Sequence, residues 1–383
     1  MPFTTLRAEL DELEAEGLAR RRLVLESPQG PRVLVGGREY LAFCSNDYLG
    51  LANHPELIAA IRAGAERYGA GASASHLITG HHAEHHALEK ELAEFLGAPR
   101  TLFFSTGYMA NLGVVSALAD RNAEVFADRL NHASLNDAAI ISRARLVRYP
   151  HLDLAALDKR LAKSGAKRRL VITDAVFSMD GDLAPLPDLA QLCERRDAWL
   201  LVDDAHGFGV LGEDGRGSLS HFRLRSPRII YMGTLGKAAG VFGAFVAGET
   251  DVVEYLSQRA RTYVYTTATP PFIAHALRRS LGIIRGEGWR RQRLRELVSQ
   301  LKEALSGLSW KLLPSATPIQ PLLTGDSREA VRVTEALRER GMLVPAIRPP
   351  TVPRGAARLR ISLSAAHAPQ DLEALASALR EIA

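Results

Sequence analysis

Seven short apolar runs, most of them separated by helical stretches, constrain this chain more than any other feature. They read TLFF from Thr101, AEVFAD from Ala123, RLVRYP from Arg145, RRLVITDAV from Arg168, AWLLVDDAH from Ala198, RIIYMG from Arg228 and GAFVAG from Gly243. Short runs of β-branched and aromatic residues with helices between them are the mark of strands covered on both faces. The expected fold class is α/β, with a large domain whose mostly parallel sheet is sandwiched by helices. HPELIAAIRAGAERYG and HHALEKELAEFLG precede it as amphipathic helices that stop at glycine. Earlier still, RVLVGGREYLAFCS reads as a small hairpin turning at Gly36-Gly37. After TTATPP the pattern changes to a long helical stretch from Pro271 to Leu305, then short strands and two helices. That is a smaller α+β C-terminal domain. The expected division is an N-terminal helix and hairpin over 1–45, a large domain over 46–275 and a small domain over 276–383.

Composition narrows the partners. Of 383 residues, 46% are hydrophobic and 24% charged, enough for a sizeable core. The net charge of +5 is scattered, and its basic runs are short and lack interleaved aromatics. No nucleic-acid partner is expected, whereas anionic small substrates suit the bias. The two cysteines, Cys44 and Cys193, form neither a disulfide framework nor a metal spacing, so a cytoplasmic setting is expected. The opening residues read as a charged amphipathic helix, and no apolar run approaches the roughly 20 residues of a membrane span.

Ligands of open α/β sheets collect at the carboxyl ends of the strands. After TLFF comes STGYMANLG, where Ser105-Thr106-Gly107 lead into a helix whose first N–H groups suit an anion. Ser178 follows the fourth run. Asp203, Asp204 and His206 follow the fifth, and the two aspartates must face opposite ways on a strand. Thr234 and Lys237 follow the sixth, in YMGTLGKAAGVFGA, where Lys237 is the only charge. A lysine there is either a surface turn residue or a desolvated amine able to form an imine. An anion cup, an imine-forming lysine and a carboxylate together describe a pyridoxal 5'-phosphate (PLP) pocket.

SNDYLGL, DRLNHASL, VFSMDGD, DDAHGFGVLGEDGRG, TLGKAAG and AIRPPTVPRGAARLRISLSAAH resemble the α-oxoamine synthases, a fold-type I family of PLP-dependent transferases. The likeness runs over nearly the whole chain and in order. It implies that Lys237 is the Schiff-base lysine and the base for the substrate α-proton. It implies that Asp203 holds the pyridine nitrogen, that His132 stacks on the ring, and that Ser178 and His206 contact the ring oxygen. Gly107, Tyr108 and Thr234 fall where the family holds the phosphate or ring. Thr266 matches a residue given to the phosphate by the partner of a homodimer with a shared active site. Arg360 matches the arginine that grips the amino-acid carboxylate, and Arg20, Asn46, Arg348 and Thr351 fall near the acyl substrate. The tail AIRPPTVPRGAARLR points to members that join L-alanine to pimeloyl-CoA or pimeloyl-acyl carrier protein. A member using glycine with acetyl- or succinyl-CoA is the alternative. The family loop is richer in glycine than GAGASASHLITG, where Ala72 and Ala74 stand.

A rival reading comes from HHAEHHALE, which contains His81, Glu84 and His85 in the H-x-x-E-H order of zinc peptidases. A solvated helix start explains the same residues, and no metal site is expected. An inactive PLP-fold binding protein is a second rival, against which the set Lys237, Asp203, His206 and His132 speaks.

Overall fold

The computed structural model describes residues 3–15, 19 and 22–383. Strands β1 (Arg32–Val35) and β2 (Arg38–Ala42) form the expected hairpin. Gly36 and Gly37 have φ of 57° and 73°, both left-handed, as a two-residue I′ turn demands.

The seven apolar runs become seven strands of one sheet. They are β3 (Arg100–Phe104), β4 (Ala123–Asp128), β5 (Arg145–Tyr149), β6 (Arg168–Asp174), β7 (Trp199–Asp203), β8 (Ile229–Thr234) and β9 (Ala244–Gly248). Their order is β3-β9-β8-β7-β6-β4-β5, and only β9 runs antiparallel to its neighbours. Alternate residues feed two separate cores, as the two-residue period requires. Val171, Leu200, Val202, Phe103 and Phe245 join one core with the helices Ala83–Leu96, Leu186–Arg195 and Pro271–Gly286. Leu170, Ile172, Leu201, Leu102 and Phe104 join the other with the helices Gly107–Leu118 and Ala133–Ile141. Each buried leucine or phenylalanine contributes about 1.5–3 kcal/mol, so the two faces fix the sheet's register.

The helix Pro271–Gly286 packs along the helix Pro55–Tyr68, closely enough that a Cβ on Gly64 would lie 3.0 Å from Phe272 Cα. A division at residue 275 falls inside this continuous helix. Beyond it come β10 (Lys311–Leu312), β11 (Ile319–Gly325), β12 (Met342–Leu343), β13 (Ala346–Ile347) and β14 (Ala357–Ser362). Four of them form a sheet in the order β10-β11-β14-β13. β12 leaves that sheet and pairs in parallel with β2, so the hairpin and the C-terminal segment share a three-stranded sheet. An open hairpin edge needs a partner, and β12 supplies it. Among the described residues no helix is long and apolar enough to cross a membrane.

Candidate active site

β6, β7 and β8 lie side by side, so their carboxyl ends deliver side chains to one place. Asp174 and Asp203 are register partners at the ends of β6 and β7. Lys237 follows β8 by three residues, on a turn whose tightness Gly240 permits. Gly240 has φ of 70°, and a Cβ there would meet the Leu51 backbone at 2.6 Å.

Lys237 Nζ lies 2.8 Å from His206 Nε2, and His206 Nδ1 lies 2.6 Å from the Tyr48 hydroxyl. Tyr48 donates to Asn46 Oδ1 at 3.1 Å. One proton arrangement satisfies the whole row. Lys237 donates to Nε2, Nδ1–H donates to Tyr48, and Tyr48 donates to Asn46. Burial pushes the His206 pKa well below the ordinary histidine value, and the Lys237 charge adds to the push, so the imidazole is neutral and free to accept. Burial also draws Lys237 down to about 8, against the pull of Asp203 and Asp174 in the other direction. A lysine near 8 yields its proton at neutral pH far more readily than one in water.

Asp203 Oδ2 accepts from Asn111 Nδ2 at 2.7 Å, and Oδ1 from the Ala205 N–H at 3.0 Å. Asn111 also donates to Ser134 Oγ at 2.9 Å, and its own Oδ1 is buried without a partner among the described residues. Ser134 Oγ lies 2.8 Å from His132 Nδ1. The His132 N–H donates to Asp174 Oδ2 at 2.7 Å. Burial raises the Asp174 pKa well above the ordinary carboxylate value, with the Asp203 charge adding to the push.

Asp204 faces away, as the strand period requires. Its Oδ2 accepts from Tyr231 and from the Ser218 N–H, each at 2.6 Å. It pins the loop that carries His206. Gly207 is obligatory there, since a Cβ would lie 2.0 Å from Asp204 Oδ1.

Arg360, 6% exposed, donates from Nε to the Ser178 carbonyl at 2.5 Å and from one terminal nitrogen to Ser362 Oγ at 2.8 Å. Its other terminal nitrogen reaches Asn46 Oδ1 at 3.2 Å and Tyr48 at 3.4 Å. Every one of these acceptors is neutral, and no carboxylate pairs with Arg360 among the described residues. Thr106 caps the helix Gly107–Leu118 by accepting from the Met109 N–H at 3.1 Å. The N–H groups of Gly107 and Tyr108 have no partner among the described residues. Gly107 packs against Thr234.

The structure thus brings Lys237, His206, Asp203, His132, Asn46, Arg360 and the Ser178 carbonyl into linked networks, with Gly107 and Thr234 together nearby. Tyr108 is exposed and bonds to Asp137. Thr266 stands beside the Ser75–Thr267 bridge and joins none of these bonds. Arg348 and Thr351 line a different cavity, of about 890 Å³, with Arg7, Leu10 and Leu13 of the N-terminal helix. Arg20 lies outside the described residues. Sequence reasoning missed Tyr48, Asn111 and Asp174. Asn111 left a signal, as a polar side chain four residues past Gly107 in a mostly apolar helix. Tyr48 stood inside SNDYLGL without a chemical reason to choose it.

The zinc-peptidase pattern does not assemble. Glu84 is held by Tyr68, His275 and Arg278, at 2.7, 3.1 and 2.8 Å. His85 spends both ring nitrogens, on the Thr269 carbonyl and on the His82 N–H. The acid and the histidines face different neighbours.

The model of the family described as aminotransferase class I and II matches residues 38–379. The chain belongs to that family. Within the family its relatives include 8-amino-7-oxononanoate synthases. That of Nitrosospira multiformis is 65% identical over 98% of this chain and 95% of its own length. That of Nitrosomonas eutropha is 63% identical over 99% and 98%. Among solved structures, serine palmitoyltransferase from S. paucimobilis with a bound PLP–myriocin aldimine superposes with a TM-score of 0.93. It is 29% identical and covers 100% of this chain and 97% of its own. 8-Amino-7-oxononanoate synthase from Francisella tularensis superposes at 0.79, 33% identical, over 90% and 98%. These family members agree with the α-oxoamine synthase resemblance and with the fold-type I architecture expected from the sequence.

Proposed function

We propose that this chain joins L-alanine to pimeloyl-CoA, or to pimeloyl-acyl carrier protein, with PLP as cofactor. The products are 8-amino-7-oxononanoate, CO₂ and the free thiol, in the making of biotin. The names of the full-length relatives support the reaction. The structural observation that carries it is Arg360, a buried guanidinium surrounded by neutral acceptors beside the Lys237–His206 pair. A buried cation of this kind is stable once an anion reaches it, and the carboxylate of an amino acid fits its fork.

The residues fit the cofactor. Gly107 and Tyr108 offer free N–H groups at a helix start, with Thr234 beside them, for the phosphate. Asp203 would hold the ring nitrogen, and exposed His132 would lie against the ring. His206 and Ser178 would meet the ring oxygen, and Lys237 would bind the aldehyde. Bound there, PLP supplies an electron sink for negative charge at the amino-acid Cα.

The chain's own residues perform the rest. Arg360 binds the alanine carboxylate and orients Cα toward Lys237. Lys237 Nζ takes the Cα proton, and neutral His206 accepts its hydrogen bond as the charge on nitrogen grows. Cα then bonds to the thioester carbonyl and the carbon–sulfur bond breaks. His132 donates to the carbonyl oxygen as it gains charge. The former alanine carboxylate departs as CO₂, and Lys237 returns the proton to Cα. The cavity between the N-terminal helix and Arg348–Thr351, whose mainly apolar lining also carries Arg7, Arg348 and Glu14, would take the acyl chain. Thr266, unused in its own chain's networks, would complete the phosphate site of a partner in a homodimer. A reaction that draws on acyl thioesters fits the cytoplasmic setting expected from the sequence.

Thiol release from pimeloyl-CoA, measured for PLP-loaded protein with L-alanine or glycine, tests the reading. Release with alanine alone, reduced at least about 10³-fold in Lys237→Ala, is the expected result. Release with glycine alone, or from acetyl-CoA in preference, overturns the substrate assignment in favour of a sister reaction.

A further inference from the structure

The histidines that fail as a peptidase motif leave a different set of ligands. His81 precedes the helix Ala83–Leu96, and His86 and Glu89 lie three residues apart on one of its faces. One ligand atom from each of the three lies within 4.8 Å of the other two. We propose that His81, His86 and Glu89 form a binding site for a divalent transition-metal ion of the Zn²⁺ or Co²⁺ type, separate from the Lys237 networks.

The hydrogen bonds leave the right atoms open. His81 Nδ1 lies 3.0 Å from His76 Nδ1 and is spent there, so Nε2 remains for a metal. His76 is itself fixed, its ring stacked on Tyr263 at 4.7 Å and 10°. A ligating imidazole steered through its second nitrogen is the usual outer-shell arrangement of a metal site. Glu89 Oε1 accepts from the Phe103 N–H at 2.9 Å, which orients the carboxylate and leaves Oε2. His86 is exposed and makes no hydrogen bond among the described residues. By contrast, the neighbouring set His76, His81 and His85 is closed, because both nitrogens of His85 are taken.

Electrostatics agree with this geometry. Glu89 forms no ion pair among the described residues. Arg100, whose charge acts on Glu89, bonds to Glu254. Two imidazoles and a carboxylate match a preferred zinc donor set, with a fourth position left for water. Ligand atoms around a tetrahedral ion stand about 3.4 Å apart, so the side chains must draw together from within 4.8 Å when an ion binds.

Equilibrium dialysis of PLP-loaded protein without a histidine tag, against Zn²⁺ and separately Co²⁺, tests the site. One equivalent per chain is expected, with the strong visible absorption of four-coordinate Co²⁺. His86→Asn and Glu89→Gln should each weaken binding at least about tenfold while thiol release in metal-free buffer stays at the wild-type rate. Absence of stoichiometric ion, or wild-type affinity in both variants, overturns the proposal.

Discussion

Arg358 and Arg360 stand two residues apart on β14, both almost inaccessible, yet only one has a carboxylate. Arg358 donates to Asp180 Oδ1 at 2.5 Å and to the Met179 carbonyl at 3.2 Å. Arg360 reaches only neutral atoms, the carbonyl of the preceding Ser178 among them. One arginine is a finished ion pair that ties β14 to the loop after β6. The other is held in place by groups that fix its direction and leave its charge unanswered. Asp203 and Asp204 repeat the lesson on β7. Asp204 is held through Oδ2 by Tyr231 and Ser218, away from Lys237, and Asp203 is held by Asn111 and the Ala205 N–H on the Lys237 side. In both pairs one member is turned to the Lys237 networks and the other is tied into the surrounding fold.

The sharpest break of this comparison is Arg360→Ala. It should lower kcat/KM for alanine by about 2–5 kcal/mol, mostly through KM, while denaturation midpoints move little. An unchanged KM would remove Arg360 from carboxylate binding. Arg358→Ala should do the reverse. Stranding Asp180 should cost about 2 kcal/mol of stability in urea titrations, with a smaller loss of turnover.

Asp204→Asn addresses the second pair. Burial holds the Asp204 carboxyl up at about 7, above the roughly 3.9 of an unfolded chain. The folded state therefore keeps this proton longer than the unfolded state. Its contribution to stability is full below about pH 4 and is lost as pH rises through 7. Wild-type stability should fall over that window relative to the asparagine variant. A constant difference between the two across the window would refute the assignment. Tyr48→Phe should have the smallest effect, about 1 kcal/mol in kcat, because it removes one hydroxyl between His206 and Asn46 and keeps the ring. A null result would show that the His206 tautomer is set by other contacts.

Much of this was legible in the chain. The seven strands, the Gly36-Gly37 hairpin and the two glycine-stopped helices follow from local periodicity and turn chemistry. The opposed roles of Asp203 and Asp204 follow from the strand period. The networks around Tyr48, Asn111 and Asp174 were not legible, because each joins residues far apart in sequence. Tyr48 meets His206 across 158 positions and Arg360 across 312.

The sequence by itself determined the α/β class, the strand exits that carry chemistry, and the family, because those depend on neighbouring residues and on motif order. Only the tertiary structure decided that β12 completes the N-terminal hairpin. It alone turned Glu84 from His81 toward Arg278, and it left Arg360 rather than Arg358 without a carboxylate. The physical reason is that ion pairing and strand pairing are settled by which groups meet when the cores close, and no local pattern records those meetings.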